Sequence, residues 1–558
     1  MQNEEKYNFI KYYERSFRNN WALEAVTDYG TNVTLTYGDL ATKIAKLHIL
    51  FEQCGIKKDD KIAVMGKNNS NWVSVYLATV TYGAIVVPIL QDFKANDAIH
   101  IVNHSESKLL FISDINWEGI ELDQIPDILA VFSLNDWHPI SLTLDPERIS
   151  MSAIVDVFNS LYPNGYTAED VHYAERSNDQ IASINYTSGT TGFSKGVIMP
   201  LNGLAGNIRY AFESELVYSG CRHVAFLPLA HAYGCAFDFW GCLAAGGHTW
   251  LVGRTPSPKI LLKAFAEVKP TIILSVPLIL EKIYKKMIVP QIQKPPVSWV
   301  LKVPFLDEIV CAKIREQLVQ AFGGEFKQII IGGAPLNPEV EAFLRRIKFP
   351  MSVGYGMTEC APLISFAPYE QSKLYSCGKP LDGMMEGKIL SPNEEGIGEI
   401  VTKGENTMTG YFKNPKATKE SFTKDGWLRT GDLGMIDEDG FIYIKGRSKT
   451  MLLGPSGQNI YPEEIEAKIN NMPYVLESLV LQQKDNRLVA LICPDYNEVD
   501  ADGLTADQLA EQMEEARKQV NSELAAYEQI AIVKLYPNEF EKTPKKSIKR
   551  FLYTNMID

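Results

Sequence analysis

The sequence predicts an α/β protein with a large N-terminal domain of stacked, mainly parallel sheets and a smaller α+β domain at its carboxyl end. Helix-like and strand-like segments alternate over the first 115 residues, and the alternation resumes between residues 223 and 353. The strand-like segments of the second region are β-branched and almost continuously apolar, which is typical of parallel strands buried on both faces. Beyond residue 395 short strands are separated by turn signals, and residues 450–558 contain strands and a helix of their own. This change of pattern predicts the second domain.

Length and composition indicate a multidomain globular protein. The chain has 558 residues, of which 46% are hydrophobic and 22% charged, and this length exceeds one ordinary domain. The net charge of −13 argues against a general nucleic-acid binder, which carries a basic surface. No apolar run reaches the roughly 18 residues that span a bilayer, and the polar N-terminus does not read as a secretory signal.

The cysteines and histidines predict neither disulfides nor a zinc site. Eight cysteines are spread along the chain without a CxxC pair, and the eight histidines are scattered as well. We therefore expect reduced, mostly buried thiols in a cytoplasmic protein.

The first 115 residues contain clear local signals. Thr36 is the predicted cap of a helix that carries four apolar side chains on one face, and Gly55 follows the end of that helix. The four side chains are Leu40, Ile44, Leu47 and Phe51. Residues 72–82 predict a second helix, closed by Gly83, and buried strands are predicted at residues 61–65, 84–88 and 108–112. Strands that alternate with helices pair in parallel through crossover connections.

The later elements divide at about residue 395. Before it, an apolar helix is predicted at residues 235–245, and strands at residues 223–229, 249–252, 271–276, 328–331 and 351–353. After it, short strands are predicted at residues 399–402, 427–430 and 441–444, with a hairpin at Asp439-Gly440. The tail adds an amphipathic helix at residues 505–525 and strands at residues 478–482, 488–493 and 531–536. Ligands of parallel sheets bind beyond the carboxyl ends of the strands, so the segments that follow strands are the candidate functional segments.

The glycine-rich loop at residues 186–196 is the strongest functional signal. It combines the hydroxyls of Ser188, Thr190 and Thr191 with the glycines Gly189, Gly192 and Gly196 and with Lys195. Glycines allow a ligand to approach the backbone closely, and hydroxyls, bare N–H groups and the lysine suit a polyphosphate. Strand-like runs at residues 181–186 and 197–199 flank the loop, whereas a P-loop leads from a strand into a helix. The structural alternative is a mobile glycine-rich surface turn.

Two further clusters follow predicted strand ends. Residues 332–335 (GGAP) follow one strand, and their small side chains leave room for a flat ring; the alternative is a tight βα turn. Residues 354–359 (GYGMTE) follow the next strand and combine an aromatic ring, a hydroxyl and a carboxylate. That set suits a base, a phosphate and Mg²⁺, although Glu359 also fits an ordinary acid at a helix N-terminus.

Two charged motifs and one histidine complete the candidate residues. RTGD at residues 429–432 and GRSK at residues 446–449 supply an aspartate and an arginine. A carboxylate such as that of Asp432 can hold a ribose diol, and the alternative for it is a plain turn residue. His231 lies in the run LPLAHAYG, at a strand end before an apolar helix; a functional and a structural role are both open for it.

Together these motifs resemble the adenylate-forming superfamily of acyl-CoA synthetases, luciferases and peptide-synthetase adenylation domains, over about residues 30–550. YTSGTTG with the following KG resembles the family's phosphate loop, GGAPL and YGMTE its adenine and Mg²⁺ segments, RTGDLG its ribose motif and GRSK its hinge. Residues 457–466 resemble the start of its small C-terminal domain. The resemblance implies an adenylation domain at residues 1–447 that includes a small distorted β-barrel. It also implies a mobile domain at residues 448–558, with the hinge near Lys449.

The resemblance implies a two-step ligation as well. A carboxylate attacks the α-phosphate of ATP to give an acyl-adenylate and pyrophosphate, and a thiol, usually that of coenzyme A, then attacks the acyl group. Such in-line transfer needs positioning and charge neutralisation. The implied phosphate-binding residues are Thr187, Ser188, Gly189, Thr190, Thr191, Gly192 and Lys195. The implied adenine-site residues are Gly333, Ala334, Pro335, Tyr355, Gly356 and Met357.

The remaining implied roles concern the metal, the ribose and the acyl group. Thr358 would contact the α-phosphate and the acyl carboxylate, and Glu359 would bind Mg²⁺ together with Thr190. Asp432 and Arg447 would hold the ribose, and His231 would border the acyl pocket and the CoA channel. Lys449 and Gly457 complete the implied cofactor-binding set.

One position departs from the family pattern. The family's C-terminal lysine, which stabilises the charged transition state, lies in a motif like KTxxGKIxR, whereas residues 542–550 read KTPKKSIKR. An ungapped match places Ser547 at the lysine position, and serine carries no charge. Three interpretations compete: Lys546 or Lys549 serves after a local shift, the lysine has been replaced, or adenylation is weak. The loss of one such donor commonly costs about 10²–10³-fold in rate.

The sequence therefore predicts an AMP-forming fatty acid–CoA ligase that uses ATP, Mg²⁺ and coenzyme A. The fatty-acid preference depends on the runs LPLAHAYG and KTPKKSIKR, which resemble those of long-chain enzymes. One alternative is adenylation of another acid, such as an aryl carboxylate, or transfer to an acyl carrier protein. Another is a nucleotide- or acyl-binding protein with weak ligase activity, because of Ser547. Chain length, oligomeric state and peripheral contact with membranes stay open.

Overall fold

The computed structural model describes residues 7–147, 149–187, 194–253, 257–301, 303, 306–454, 458–543 and 547–557. Contacts divide the chain into two compact units. The large unit comprises Met1–Gly387 and Thr402–Leu428, and the small unit comprises Lys388–Val401 and Arg429–Asp558. The hinge near Lys449 and the boundary between residues 447 and 448 stay predictions.

An eight-stranded sheet forms the centre of the large unit. Five inner strands run parallel, and the other three are antiparallel to their neighbours. Their spatial order is Gly410–Tyr411, Lys195–Pro200, Ile181–Thr187, Ile85–Ile89, Lys61–Met65, Ser107–Ile112, Ala130–Ser133 and Pro139–Leu142. The parallel strands are buried almost throughout, as their continuous apolar sequence requires. The sequence predictions for residues 61–65, 84–88 and 108–112 are confirmed to within one residue at each end.

The first two predicted helices are confirmed together with their caps. The helix Tyr37–Gln53 begins with a reciprocal cap, since the Asp39 amide donates to Thr36 Oγ1 at 3.1 Å and the Thr36 amide donates to Asp39 Oδ2 at 2.9 Å. Its predicted apolar face is fully buried. The helix Ser70–Tyr82 ends at Gly83, whose φ of 103° suits glycine.

Three smaller sheets complete the large unit. A four-stranded sheet has the order Arg222–Ala225, His248–Val252, Glu24–Tyr29 and Val33–Thr36. A parallel three-stranded sheet contains Ile273–Ser275, Ile329–Ile331 and Met351–Val353. An antiparallel one contains Tyr355–Gly356, Leu363–Phe366 and Lys379–Pro380. All five strands predicted between residues 223 and 353 are present.

Three of those strands are shorter than predicted: the one predicted at residues 271–276 covers Ile273–Ser275, the one predicted at residues 328–331 covers Ile329–Ile331, and the one predicted at residues 223–229 ends early. The strand predicted at residues 223–229 ends at Ala225, because the side chain of Asn68 replaces a neighbouring strand there. Asn68 Nδ2 donates to the carbonyls of Ala225 at 3.1 Å and Leu227 at 2.8 Å, and Asn68 Oδ1 accepts from the amide of Leu229 at 2.9 Å. A residue about 160 positions away therefore ends the strand.

Helices cover the sheets of the large unit. The α-helices are Phe9–Asn19, Tyr37–Gln53, Ser70–Tyr82, Ala95–Ser105, Asp114–Trp117, Met151–Leu161, Leu201–Glu213, Ala232–Gly234, Cys242–Ala244, Pro258–Val268, Pro277–Ile283, Val289–Ile292, Val297–Val300, Leu306–Ala321, Pro338–Arg346 and Pro415–Glu420. Short 3₁₀ turns lie at Leu122–Gln124, Ala168–Asp170 and Thr358–Cys360, and π-helical turns at Cys235–Gly241 and Tyr284–Ile288. The helix predicted at residues 235–245 thus begins as a π-helix, a form that is often found at functional sites. Within the described part of the chain, no helix is both long and apolar enough to cross a membrane.

Among the described residues, three separate sheets lie wholly or mainly in the small unit. The first has the linear order Met385–Leu390, Gly398–Gly404, Leu428–Ile436 and Ile442–Arg447. The others are Leu452–Leu453 with Asn459–Ile460, and Val475–Gln482 with Leu488–Pro494 and Ile530–Leu535. The helices Pro462–Ile469, Tyr496–Asp502 and Ala506–Asn521 pack against them, and 3₁₀ turns lie at Ala526–Glu528, Arg550–Leu552 and Thr554–Met556. The tail elements and the amphipathic helix are confirmed.

The predicted distorted β-barrel is wrong. In the four-stranded sheet of the small unit, the first strand, Met385–Leu390, does not pair with the last, Ile442–Arg447, among the described residues. The sheet is therefore open. Four short strands are too few to close a cylinder around a filled interior.

The half-buried side chain of His48 gives the stability of the large unit a testable dependence on pH. Its Nε2 lies 3.0 Å from the carbonyl oxygen of Ala78 and 3.0 Å from Oγ1 of Thr81, and burial lowers its pKa to about 4. Below its ordinary pKa of 6.5 the unfolded chain takes up a proton that the folded chain excludes. The free energy of unfolding therefore falls as the pH drops from 6.5 towards 4, by roughly 3 kcal/mol in all.

Urea unfolding of the wild type and of His48→Gln, between about pH 7 and about pH 4.5, measures this effect. We expect the stability advantage of the wild type over the variant to shrink by about 1.4 kcal/mol per pH unit in that window. Equal pH slopes for the two proteins would contradict the prediction.

Candidate active site

The two ends of the glycine-rich loop lie in neighbouring strands of the eight-stranded sheet. Thr187 is directly opposite Lys195 in the antiparallel register, and Thr187 Oγ1 donates to the Lys195 carbonyl at 3.5 Å. Gly196 faces Tyr186 so closely that a Cβ there would lie 3.1 Å from a ring carbon. The loop therefore leaves the sheet at the carboxyl edge of its parallel strands, where ligands of such sheets bind. The predicted phosphate-binding residues Ser188, Gly189, Thr190, Thr191 and Gly192 lie outside the described residues.

The segment 354–359 turns sharply after the strand Met351–Val353. The amide of Met357 donates to the carbonyl of Pro362 at 2.9 Å, and a Cβ on Gly356 would lie 2.2 Å from the same oxygen. Glycine is therefore required at position 356 by this close backbone contact. The turn places Tyr355, Thr358 and Glu359 in buried positions.

Glu359 is held by a tyrosine that the sequence analysis did not identify. Tyr411 donates its hydroxyl hydrogen to Glu359 Oε1 at 2.8 Å. Burial, and then the charge of Glu359, raise the pKa of Tyr411 above its ordinary value, so the phenol keeps its proton as a donor. Because only 9% of Glu359 is exposed, this hydrogen bond fixes the carboxylate where few other partners reach it.

The same tyrosine connects Glu359 to the loop lysine. Lys195 Nζ lies 4.9 Å from the centroid of the Tyr411 ring, a cation–π distance. The contact follows from the sheet, because Tyr411 pairs with Val197 at its edge and the amide of Phe412 donates to the carbonyl of Gly196 at 2.7 Å. A cation over the ring face and a carboxylate at the hydroxyl, each from a predicted motif, thus contact one tyrosine. In the sequence, the aromatic pair at residues 411–412 after a glycine was the signal that could have indicated Tyr411 as a site residue.

The segment 332–335 follows the parallel strand Ile329–Ile331. Gly333 has a φ of 88°, in the left-handed region that favours glycine, and Ala334 and Pro335 are exposed. A Cβ on Gly332 would lie 3.0 Å from Cζ of Tyr233. The Tyr233 hydroxyl donates to the carbonyl of Ile330 at 2.9 Å, so this ring is fixed against the glycine.

His231 lies two residues before that tyrosine. The amide of Tyr233 donates to His231 Nδ1 at 3.3 Å, and the amide of His231 donates to the carbonyl of Pro228 at 2.9 Å. The imidazole therefore caps the short helix Ala232–Gly234 and is half-buried. Through Tyr233, the structure brings the histidine motif and the GGAP segment together.

Asp432 and Arg447 form a cross-strand pair in the small unit. They are directly opposite in the antiparallel register, and Arg447 Nε lies 3.1 Å from Asp432 Oδ1. The carboxylate is buried, whereas the arginine side chain is largely exposed. The amide of Asp432 donates to Thr430 Oγ1 at 3.0 Å. The two residues predicted to hold the ribose are therefore adjacent.

Lys449 lies in the turn that follows the strand Ile442–Arg447. The amides of Thr450 and Met451 donate to the carbonyl of Arg447 at 3.2 and 3.0 Å, and Lys449 is exposed. Gly457 lies outside the described residues.

The basic tail of the small unit is tied down by glutamates. Lys549 Nζ lies 2.6 Å from Glu541 Oε1. Arg550 makes a two-pronged pair with the buried Glu466 at 2.6 and 2.9 Å. With Lys542, which lies 2.7 Å from Glu477 Oε2, three of the tail's cations are paired inside the unit.

Ser547 closes the turn between these anchors. Its amide lies 3.3 Å from Thr543 Oγ1, and its carbonyl accepts from the amide of Thr543 at 2.8 Å. Ser547 is exposed, and Lys546 lies outside the described residues. Lys549 is thus paired with Glu541 inside the unit, and the replacement of the family's lysine by Lys546 or Lys549 stays a prediction.

Comparison with known proteins agrees with this arrangement of motifs. The family described as AMP-binding enzyme matches residues 13–412, and the AMP-binding enzyme C-terminal domain matches residues 450–556. Long-chain-fatty-acid–CoA ligase FadD15 of Mycobacterium bovis is 27% identical over 569 residues, which cover 93% of this chain and 90% of that protein. Putative acyl-CoA synthetase YngI of Bacillus subtilis is 27% identical over 487 residues, or 83% and 82% of the two chains.

Solved structures show the same fold. ATP-bound MatB of Rhodopseudomonas palustris superposes with a TM-score of 0.75 at 21% identity, over 98% of this chain and 99% of that one. O-succinylbenzoate coenzyme A synthetase MenE of Bacillus subtilis, in complex with ATP and magnesium ion, has a TM-score of 0.72 at 22% identity, over 97% and 98%. At these identities the likeness concerns the fold alone.

Proposed function

The chain belongs to the AMP-binding enzyme family, and from this premise we propose that it is an AMP-forming ligase that joins a fatty acid to the thiol of coenzyme A. The observation that carries the proposal is the linked set Lys195, Tyr411 and Glu359 at the carboxyl edge of the main sheet. It offers a cation and an oriented carboxylate beside the glycine-rich loop, as the binding of a metal–triphosphate requires. The relatives named as acyl-CoA ligases support coenzyme A as the acceptor of the acyl group.

The donor set fits Mg²⁺ with ATP. Glu359 supplies one carboxylate, and magnesium is commonly held by one or two carboxylates together with phosphate oxygens. Lys195 and Thr187 would face the phosphates, with the loop residues between them. Mg²⁺, when bound, would neutralise the charge of the phosphate oxygens.

The two half-reactions would use different residues of the chain. In the first, the fatty-acid carboxylate displaces pyrophosphate from the α-phosphorus, and Thr358 would position the attacking oxygen. In the second, the coenzyme A thiolate attacks the acyl carbon, AMP leaves with the bonding electron pair, and a thioester remains. His231 would border the acyl chain, whereas Asp432 and Arg447 would hold the ribose. The small unit would turn about Lys449 between the two steps.

Two other functions fit some of the observations. One is adenylation of another acid, such as an aryl carboxylate, or transfer to an acyl carrier protein. The other is a nucleotide- or acyl-binding protein of weak ligase activity, which the exposed Ser547 favours.

Pyrophosphate release with a panel of acids, with and without coenzyme A, tests the proposal. We expect ATP–pyrophosphate exchange only when a fatty acid is present. An acyl-CoA product should form only when coenzyme A is also present. Exchange without any acyl-CoA product would favour another acceptor. Exchange with aryl acids alone would favour a ligase of aryl acids. No exchange with any acid would favour a nucleotide- or acyl-binding protein.

Tyr411 gives a specific prediction for this site. Tyr411→Phe keeps the ring beside Lys195 but removes the donor to Glu359, and a hydrogen bond to a charged group is worth about 1.5–3 kcal/mol. We therefore expect kcat/KM for pyrophosphate exchange to fall by about 10-fold or more. Tyr411→Leu also removes the cation–π contact and should lower it a few-fold further.

Tyr82→Phe is the matched control. Tyr82 donates its hydroxyl to the carbonyl of Ile56 at 3.0 Å, outside the candidate site. If Tyr411→Phe and Tyr82→Phe had the same exchange rate, Tyr411 would have no part in positioning Glu359.

A further inference from the structure

A second cluster of polar side chains lies buried in the large unit, apart from the residues proposed for ligation. It consists of Cys221, His223 and Cys242, and one donor atom from each lies within 4.8 Å of the other two. Cys221 directly precedes the strand Arg222–Ala225, His223 lies within that strand, and Cys242 follows the π-helix Cys235–Gly241. All three are fully buried. Because His223 and Cys242 are 19 positions apart, the sequence spacing did not indicate a metal site.

The distance between the two sulfurs fits a shared cation. Cys221 Sγ lies 3.7 Å from Cys242 Sγ. Two thiolates at about 2.3 Å from one tetrahedral metal ion lie about 3.8 Å apart, whereas a disulfide needs about 2.05 Å. Two thiols in van der Waals contact lie at a similar distance. The surroundings of His223 are therefore needed to distinguish such a contact from a shared metal ion.

His223 has the arrangement of a metal-binding histidine. Its Nδ1 lies 3.3 Å from Asp238 Oδ1, and metal-bound histidines usually donate their second ring nitrogen to a carboxylate or carbonyl. The imidazole interacts with the Cys221 thiol, but its Nε2 has no hydrogen bond of ordinary geometry among the described residues, and Asp238 Oδ2 has none there either. Buried polar atoms are rarely left without partners in folded proteins. A cation at the thiols would supply a partner for the imidazole.

The backbone around the cluster is held tightly. A Cβ on Gly247 would lie 2.5 Å from Cys221 Sγ and 2.6 Å from Cys242 Sγ. The amide of Gly247 donates to the carbonyl of Cys242 at 2.9 Å, and the amide of His248 donates to the carbonyl of Cys221 at 2.8 Å. Glycine at position 247 is therefore needed to keep both sulfurs together.

We propose that Cys221, Cys242 and His223 bind one soft d¹⁰ cation, Zn²⁺ or Cu⁺, and that Asp238 orients the imidazole. Thiolate and imidazole donors select such cations over Mg²⁺. On binding, each thiol gives up its proton to solvent and each sulfur donates an electron pair to the metal, without change of oxidation state. The cation would tie the strand Arg222–Ala225, with Cys221 directly before it, to the start of the helix Cys242–Ala244.

The metal content of the purified full-length protein tests the proposal. Cells are grown with added zinc in one arm and added copper in the other, and the protein is dialysed against a chelator before elemental analysis. We expect about one equivalent per chain in one arm, a loss of more than about 10-fold in C221S/C242S, and no loss in C54S. Cys54 is a buried cysteine outside the cluster. Less than roughly one tenth of an equivalent in both arms would overturn the proposal.

Two measurements keep the test decisive if the double variant does not fold. X-ray absorption of the wild-type metal should show sulfur neighbours at about 2.3 Å, and a shell without sulfur would overturn the site. Asp238→Asn leaves both thiols in place and should weaken binding by about 10–100-fold. Unchanged affinity in that variant would overturn the role of Asp238.

Discussion

Replacing Glu359 with glutamine is expected to lower the rate of acyl-adenylate formation by about 10²–10³-fold. The amide has nearly the same shape and can still accept the hydrogen bond from Tyr411, which lies at 2.8 Å in the wild type. It lacks the negative charge that a hard cation such as Mg²⁺ prefers. The loss should therefore concern the chemical step and the magnesium dependence, while the fold is retained.

ATP–pyrophosphate exchange, measured over a range of magnesium concentrations, checks this prediction. Glu341→Gln is the matched control, because Glu341 is a buried glutamate of the same unit that accepts from the amide of Tyr375 at 2.7 Å. An exchange rate for Glu359→Gln as high as that of Glu341→Gln would mean that Glu359 does not bind the metal.

Replacing Lys546 with alanine is expected to have an effect of the same size, confined to adenylation. A cation that stabilises charge in the transition state is worth about 10²–10³-fold. Lys549→Ala should change the rate only a few-fold, since Lys549 is paired with Glu541 at 2.6 Å. Ser547→Lys should give no gain, because Lys546 would already supply the charge.

The two half-reactions have to be measured separately for this prediction. Pyrophosphate exchange reports adenylation, and thioester formation from a preformed acyl-adenylate reports the transfer step. A large loss for Lys549→Ala with none for Lys546→Ala would reverse the assignment. A large gain for Ser547→Lys would mean that the natural sequence lacks this cation.

The bounds of a helix or strand were predictable from the sequence where local preferences and long-range contacts favour the same structure. The strand Lys61–Met65 was predicted to the residue, because a short β-branched run between two capped helices has few other structures open to it. The strand after Arg222 was predicted too long, since the side chain of Asn68 takes the place of a neighbouring strand there. A contact across so many residues leaves no signal in local periodicity.

The candidate site shows the same division. Motif spacing predicted Lys195 and Glu359 as candidate residues, because glycines, hydroxyls and charges concentrate where strands end, and their roles stay predictions. It could not identify Tyr411, whose role depends on strand pairing at the sheet edge. Nor could it show that Lys549 is paired with Glu541, since ion pairing within a tail depends on how that tail folds.

The contact between Gly332 and Tyr233 bears on any attempt to redesign the enzyme. A ring carbon of Tyr233 would lie 3.0 Å from a Cβ at position 332, so neither residue can gain volume alone. Tyr233 belongs to the segment proposed to border the acyl chain, whereas Gly332 opens the segment proposed to line the adenine. Libraries that vary chain-length preference at residue 233 will therefore also select for or against nucleotide affinity. The two positions should be randomised as a pair.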